Sequence, residues 1–426
     1  MGRGYIVEEA VEGYLSKLCE QQAGPITGLL IGQSSALRDF VVMATRTPLR
    51  EDDATTLARN PVDKLWVTEH ARQVSRMLPG GLSVLGVFLI SDTDSKETLT
   101  TLRQLVFGVE NLISSDCLWT PADDDITDHV TLQVNPKTRK TVCRTFDVKD
   151  PKSSAKPADW KYQSGVCASW PSVSCCLNVD LLVQLPENRT SAEDLDQCLK
   201  EGLKTWTHQI NNGVCLIDGK KLTEEHELTA GQRRNQRQTY KVQLLVAAQE
   251  QSPVDLVRPS GGRVSISGAI HSRAFLYSNK PKAKLAEKLL KRDVVSTVTT
   301  RVQMVLEELL TSGQDNRHTE HLCLPRRVFC PVNGPVSVCD YQFSDEGLCE
   351  VSERLKEMLD ISTTDEDLDV RQETAAELIQ DDVTAEPTVD DVKAPEPRRT
   401  NYIGVVTAAA VVLLSAAASM LYLSDV

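Results

Sequence analysis

The stretch LSVLGVFLIS, from Leu82 to Ser91, decides the fold of the N-terminal part of the chain. It is a short apolar run that follows Pro79-Gly80-Gly81, and such a run after turn residues is typical of a buried strand. Two strand-like runs precede it, ITGLLIGQ (Ile26–Gln33) and DFVVMATR (Asp39–Arg46). These three runs predict the strands of an α/β domain.

Helical patterns surround the three strands. Apolar residues recur at helical spacing in residues 4–20, 62–78 and 99–112, and each pattern predicts a helix. Residues 131–146 predict a hairpin that turns at Asn135-Pro136. Together these elements predict a first α/β domain over residues 1–150.

A second α/β domain is predicted over residues 165–345, after a linker rich in Lys, Pro and Ser at residues 149–161. The fold class is therefore α/β, in the α+β arrangement, with two domains. The second domain begins with the β-rich run SVSCCLNVDLLVQLP (172–186). The later predictions are a helix at 192–209, strands at 214–217, 239–247 and 263–277, a long helix at 281–310, a hairpin at 326–343 and an amphipathic helix within 346–360.

Acidic residues are concentrated after the second domain. The whole chain has a net charge of −13, and residues 343–397 contain 18 acidic but only four basic residues. The remainder is close to neutral, which argues against nucleic acid as a partner. Residues 361–400 have few aromatics, heavy negative charge and late prolines, a composition that predicts a disordered tether.

A single C-terminal transmembrane helix is predicted at residues 402–423. The sequence YIGVVTAAAVVLLSAAASMLYL has no charge and no proline, and as a helix it would extend roughly 33 Å. The alternative is a buried core helix, which rarely runs this long without a larger polar residue. The residues taken to define the anchor are Tyr402, Ile403, Gly404, Val405, Ala408, Val411, Leu413, Leu414, Ser415, Ser419, Leu421, Tyr422 and Leu423.

The charges next to the anchor predict its orientation. Arg398 and Arg399 precede the apolar run, and no basic residue follows it, so the preceding 400 residues are expected in the cytosol. The N-terminus lacks a secretory signal. This layout is that of a tail-anchored protein, and the short tail without basic residues favours the endoplasmic reticulum over mitochondria. Four small residues lie near one helical face, which permits close helix packing: Gly404, Ala408, Ser415 and Ser419. The simpler interpretation is an alanine-rich anchor.

The sequence contains no recognisable catalytic motif. It lacks a phosphate-binding loop, a dinucleotide-binding glycine motif, a nucleophile elbow and HExxH. The 12 cysteines are scattered, and the expected cytosolic location favours free thiols. His318 and His321 are interpreted as an exposed turn, and Cys215 and Cys339 as core residues rather than nucleophiles. We therefore predict no catalytic, cofactor-binding or metal-binding residue and no enzyme activity.

The order of elements around Leu82–Ser91 resembles the MPN fold of JAMM metalloproteases. In that family the third strand ends in Gly-x-x-His-x-His, and its two histidines bind zinc. When Gly86 is aligned with the family glycine, Leu89 and Ser91 stand at the histidine positions. A second near-match, around His271, has only one histidine of the pair. The resemblance therefore implies a non-catalytic MPN-like domain.

A stronger resemblance runs from residue 1 to the anchor. The stretches MGRGYIVEEAVEGYL, TGLLIGQSSALRDFVVMATRTP, ISGAIHSRAFLYSNKPKAKLAEKLLKRDVVSTVTTR and LPRRVFCPVNGPVSVCDYQFSDE are similar to the odorant-response-abnormal-four family. The resemblance implies an adaptor of the endoplasmic reticulum membrane that helps a subset of G-protein-coupled receptors to reach the cell surface. It also implies a link to ufmylation, through recruitment of the ubiquitin-fold-modifier-specific cysteine protease. The alternative is a membrane-anchored hydrolase that uses cysteine or a metal.

Overall fold

The computed structural model describes most of residues 3–373. The described ranges are 3–21, 24–49, 62–92, 96–119, 122, 125–186, 192–230, 239–247, 260–277, 280–311 and 321–373.

Fifteen strands and six α-helices are present in these ranges. The helices are α1 (Glu9–Glu20), α2 (Lys64–Arg76), α3 (Lys96–Asp116), α4 (Ala192–Asn212), α5 (Ala283–Thr311) and α6 (Leu348–Leu359). The strands are β1 (Gly4–Glu8), β2 (Ile26–Gln33), β3 (Arg38–Arg46), β4 (Ser83–Ile90), β5 (Asp128–Val134), β6 (Thr141–Asp147), β7 (Lys156–Pro157), β8 (Asp159–Gln163), β9 (Ser172–Pro186), β10 (Val214–Ile217), β11 (Thr239–Leu245), β12 (Ser260–Phe275), β13 (His321–Cys323), β14 (Arg326–Asn333) and β15 (Val336–Gln342).

The N-terminal unit is built on an eight-stranded mixed sheet in the order β7-β6-β5-β4-β2-β3-β1-β8. The run that decides the fold forms β4, in the middle of this sheet, and Val87, Phe88 and Ile90 are fully buried. Helices α2 and α3 pack on one face and α1 on the other, so both faces carry apolar cores. The mixed α/β class predicted from the sequence is confirmed.

The prediction of a helix over residues 4–20 is wrong at its start. Residues 4–8 form β1, which pairs in parallel with β3 and with β8, and the helix begins only at Glu9. Tyr5 and Val7 alternate with more exposed neighbours and point into the core. The alternation of buried and more exposed residues extends over only five residues. This is too short to be distinguished from the helical spacing that follows.

The predicted linker at residues 149–161 is also partly wrong. It includes β7, which pairs with β6, and the start of β8, which pairs with β1 at the opposite edge of the sheet. Trp160 packs on Tyr5 with ring centroids 6.1 Å apart. The first sheet therefore continues past residue 150, to residue 163. Trp160, an aromatic residue inside a polar stretch, supplies the contact with Tyr5 of β1.

The C-terminal unit is a five-stranded sheet in the order β10-β11-β9-β12-β13. Strands β9 and β12 form its long antiparallel pair, in which Phe275 stands opposite Ser172. The buried residues of β9, such as Val179 and Val183, pack together with apolar residues of α4 and α5. The long helix predicted at 281–310 is present as the uninterrupted helix α5.

The hairpin β14–β15 and helix α6 come after the C-terminal unit in sequence but pack on the N-terminal unit. Val328, Val338 and Leu355 share one apolar core with the buried residues of β2, α2 and β4. The backbone N–H of Cys339 donates to the carbonyl of Met77 at 2.8 Å. The two units are thus joined by chain that returns from the second to the first.

The prediction that residues 361–400 form a disordered tether is wrong for residues 361–373. Leu368 is buried in the N-terminal core, and Asp369 and Phe329 exchange backbone hydrogen bonds of 2.8 and 3.1 Å. The side chain of Glu373 is 1% exposed. A composition that argues against an independent core does not prevent a segment from packing on an existing one. We call residues 360–373 the strap.

The predicted membrane helix cannot be compared with the structure. Residues 374–400, Arg398, Arg399 and the anchor residues from Tyr402 to Leu423 lie outside the described residues. Among the helices in the described ranges, none is both long enough and apolar enough to cross a membrane.

Candidate functional site: the junction of the strap with the two units

Two buried arginine–carboxylate pairs lie where the units and the strap meet. Arg327 on β14 donates to both oxygens of Asp293 on α5, at 2.8 and 3.0 Å. Arg301, two turns further along α5, donates to both oxygens of Glu373 in the strap, at 2.9 and 2.7 Å. All four side chains are only 1% exposed. Bidentate geometry is what makes such charges tolerable away from water.

Backbone donors complete the coordination of both carboxylates. Asp293 accepts from the backbone N–H groups of Gly80 and Arg273, at 2.8 and 2.9 Å. Glu373 accepts from those of His271 and Arg327, at 2.6 and 2.7 Å. Each carboxylate therefore joins several chain segments at once. The junction fixes the geometry of α5, the hairpin and the strap relative to one another.

Gln33 adds a neutral contact between the two sheets. Its side-chain amide donates to the carbonyls of Gly81 and Phe275, at 2.6 and 2.8 Å, and its oxygen accepts from the N–H of Tyr277 at 2.6 Å. Strand β12 also pairs with Gly80 through an isolated bridge at Ala274. The end of β12 is consequently held by the N-terminal unit.

The strap is attached at three points along its length. Asp360 accepts from the hydroxyl of Tyr14 at 2.9 Å, Asp369 pairs with the backbone of Phe329, and Glu373 ends in the buried junction. Glu373 lies within residues 361–400, which precede the predicted anchor. The junction therefore holds, inside the fold, part of the segment that leads to residues 402–423.

Cys176 and His271 form the type of cysteine–histidine contact that a cysteine-dependent hydrolase would require. The sulfur of Cys176 on β9 lies 3.1 Å from Nδ1 of His271 on β12. Burial, helped by Arg273 and Arg327, lowers the pKa of His271 to about 4, and burial raises the pKa of Cys176. The pair is thus neutral at physiological pH, whereas a cysteine nucleophile needs its thiolate.

Thiolate character is disfavoured at the other candidate cysteines too. Burial raises the pKa of Cys215 to about 12 and also raises that of Cys339. Leu89 and Ser91, which replace the zinc-binding histidines of the MPN pattern, are buried at the end of β4. Within the described ranges, no three His, Cys, Asp or Glu side chains are grouped so that they could hold a metal ion. His318 is outside those ranges.

Three buried histidines make the folding stability depend on pH. Burial lowers the pKa of His70, His129 and His271 to about 4 in each case. An unfolded histidine titrates near pH 6.5, so between pH 6.5 and 4 the unfolded chain binds protons that the folded chain does not. The contribution of these neutral histidines to the free energy of unfolding is complete above about pH 6.5. It is lost as the pH falls towards about 4, by up to about 1.4 kcal/mol per pH unit for each histidine.

His70→Gln tests this pH dependence, because glutamine can still donate to the carbonyl of Met358, which His70 Nε2 contacts at 2.8 Å. We expect its free energy of unfolding, measured by denaturant titration from pH 7 to 4, to fall less steeply than that of the wild type. The exposed His208→Gln serves as the control and should follow the wild type. If the free energies of unfolding of wild type and His70→Gln fell in parallel with pH, His70 would not contribute to the pH dependence.

Sequence reasoning missed the junction residues Asp293, Arg301, Arg327 and Glu373. One signal was available, since Asp293, Thr297 and Arg301 recur every four residues in helix α5 and therefore share its buried face. Charged residues on such a face require buried partners. Their identity was hidden, because Glu373 lies 72 positions from Arg301 in an acidic segment.

Comparison with known proteins places the chain among named relatives. The family model described as "Odorant response abnormal 4-like" matches residues 28–370. The human "Protein odr-4 homolog" is 38% identical over 458 residues, covering 100% of both chains, and the mouse protein of that name is 39% identical with the same coverage. "Odorant response abnormal protein 4" of Caenorhabditis elegans is 19% identical and covers 79% of this chain and 72% of its own.

Among solved structures, "Crystal structure of UfSP from C.elegans" matches with a TM-score of 0.43 and 10% sequence identity. The match covers 85% of this chain and 57% of that one.

Proposed function

We propose that this chain, which belongs to the odorant response abnormal 4-like family, is a membrane-anchored adaptor that supports the delivery of receptors to the cell surface. In this proposal residues 402–423 hold it in the endoplasmic reticulum membrane, with the preceding residues in the cytosol. Its clients are a subset of G-protein-coupled receptors, and it recruits the ubiquitin-fold-modifier-specific cysteine protease to that membrane.

One observation carries the proposal: the similarity to named odr-4 proteins extends over the whole chain. Relatives at 38–39% identity align with 100% of it, and so with residues 402–423 as well. The name of the nematode relative refers to the odorant response, which supports a role with receptors. Recruitment of the protease and residence in the reticulum rest on the family resemblance and on the charges beside the apolar run.

The geometry of the junction fits an adaptor. An adaptor has to keep its binding surfaces in a fixed relation to its point of attachment. Glu373 of the strap precedes the proposed anchor in sequence and is paired with Arg301 inside the fold, so the strap is held at the junction of both units. The rigid attachment of the strap thus supports a tethering function.

The alternative, a hydrolase that uses cysteine or a metal, has one supporting contact, between Cys176 and His271. The raised pKa of the thiol argues against it. Metal analysis of the purified protein addresses the metal-dependent version, for which stoichiometric zinc is required. The adaptor proposal expects a metal-free protein.

Removal of residues 400–426 tests the proposed function in cells. In cells that lack the endogenous protein, we expect the full chain to restore surface delivery of a dependent G-protein-coupled receptor. The truncated chain should restore little of it, because it no longer shares the membrane with its client. Surface labelling of the receptor, divided by its total amount, is the measurement.

The matched control carries an unrelated tail anchor in place of residues 400–426. Rescue by this control would assign the anchor a purely locating role. Full rescue by the truncated chain, at equal expression, would contradict the proposal.

A further inference from the structure

A cavity of about 530 Å³ lies between helix α5 of the C-terminal unit and helix α3 of the N-terminal unit. The α5 wall includes Lys288, Arg292, Ser296, Thr299 and Gln303, whose spacing of three and four residues places them along one side of the helix. The volume falls within the range of about 300–1,000 Å³ that is usual for ligand sites. We call this cavity the cleft.

Ion pairs cross the cleft near each end. Arg76 on α2 contacts Glu307 on α5 at 3.2 Å. At the other end, Asp125 accepts from Arg292 at 2.7 Å and from Lys288 at 3.0 Å, and these contacts help to lower the pKa of Asp125 to about 2 despite its partial burial. Arg76, Lys288 and Arg292 are therefore each in contact with a carboxylate already, although Lys288 and Arg292 share that of Asp125.

Glu110 on α3 is different, because its partner is a histidine. Its carboxylate lies 3.4 Å from Nε2 of His129, and burial keeps His129 neutral with a pKa of about 4. Burial also raises the pKa of Glu110. The charge of Lys149 partly offsets this effect, but among the described residues no lysine or arginine lies close enough to Glu110 to form an ion pair. Since its side chain is 33% exposed, a cation that enters the cleft can reach it.

A second polar group in the wall is also unsatisfied. Thr299 is 7% exposed, it lines the cleft, and its hydroxyl has no hydrogen-bond partner. A buried hydroxyl without a partner is unfavourable, so this part of the cavity wall is incompletely satisfied. Apolar side chains of Ile113, Leu118 and Leu289 complete the lining.

We propose that the cleft binds a peptide segment of a partner protein through a basic side chain whose cationic group pairs with Glu110. Lysine and arginine carry a charged group on a flexible aliphatic stem, which matches a carboxylate set among apolar side chains. The site is separate from the predicted anchor, so its failure would leave the proposed membrane function untouched.

Fluorescence anisotropy on the full chain in detergent micelles tests the proposal. The probes are the fluorescein-labelled pentapeptides Ala-Leu-Lys-Leu-Ala and Ala-Leu-Nle-Leu-Ala, in which norleucine (Nle) keeps the aliphatic stem and removes the charge. We expect the lysine peptide to bind about tenfold more tightly, and Glu110→Gln to abolish this preference. Ser296→Phe, which fills the cleft, should remove binding of both peptides.

The matched control is Glu97→Gln, which removes an exposed carboxylate from the same helix α3 and should leave both affinities unchanged. Thermal unfolding verifies that each variant is folded. Equal affinity for the two peptides, no binding of the lysine peptide at millimolar concentration, or an unchanged preference in Glu110→Gln would overturn the proposal. If cadaverine, a free diamine, displaces the peptide and binds as tightly, the partner-peptide assignment is overturned.

Discussion

Replacement of Glu373 by alanine should destabilise the folded region by about 3–5 kcal/mol, because it leaves the charge of Arg301 buried without its partner. The side chain of Arg301 is 1% exposed, and its other contacts, to Thr297 and to the carbonyl of Pro325, are neutral. The backbone N–H groups of His271 and Arg327 lose their acceptor as well. Thermal and denaturant unfolding of the purified chain are the measurements.

Two controls separate the charge effect from the position of the residue. Glu366→Ala removes an exposed carboxylate from the same strap and should change stability by no more than about 0.5 kcal/mol. Arg301→Met combined with Glu373→Met removes both charges and should recover most of the loss, because an apolar pair of similar volume often replaces a buried ion pair without cost. A loss below about 1 kcal/mol in Glu373→Ala would show that the strap is not held by this pair.

Gly86→Ala should cost about 3 kcal/mol or more by forcing two central strands apart. A Cβ atom at residue 86 would lie 1.8 Å from the carbonyl oxygen of Val130, which belongs to the backbone of the paired strand β5. No rotamer change relieves a contact with backbone, so β4 or β5 has to shift within a close-packed core. The expected result is a lower unfolding midpoint or loss of soluble protein.

Gly13→Ala is the matched control, because it adds the same methyl group where nothing lies within 4 Å. Residue 13 is exposed in helix α1, so alanine should stabilise the protein by about 0.5–1 kcal/mol. Equal stability of Gly86→Ala and wild type would mean that β4 and β5 are not paired as described.

The fold could be predicted where local pattern and tertiary environment agree. Strand β4 is a continuous apolar run after turn residues, and helix α5 is a long segment with an apolar stripe; both are present as predicted. Strands β1 and β8 could not be found in this way, because their stability comes from pairing with each other and from the contact of Tyr5 with Trp160. The two strands are 155 residues apart in the sequence, so their pairing leaves no local pattern in either strand.

The junction was hidden for a related reason. Glu373 belongs to a segment whose composition predicts disorder, and its buried partner, Arg301, lies 72 residues earlier in the sequence. Residues 361–373 contain few apolar side chains of their own, but Leu368 enters a core already formed by α2, α6 and the hairpin. The predicted anchor differs from the junction, because its signal is local. A long run of uncharged, mostly apolar residues predicts a membrane helix without knowledge of any contact elsewhere in the chain.

In the adaptor proposal, residues 402–423 attach the chain and its partner to a membrane. The most direct measurement is the distribution of the ubiquitin-fold-modifier-specific protease between membrane and soluble fractions in cells that contain either the full chain or the chain without residues 400–426. The adaptor account predicts that both proteins are in the membrane fraction with the full chain and that both move to the soluble fraction with the truncated one. A protease that stays with the membrane while the truncated chain is soluble would contradict the account.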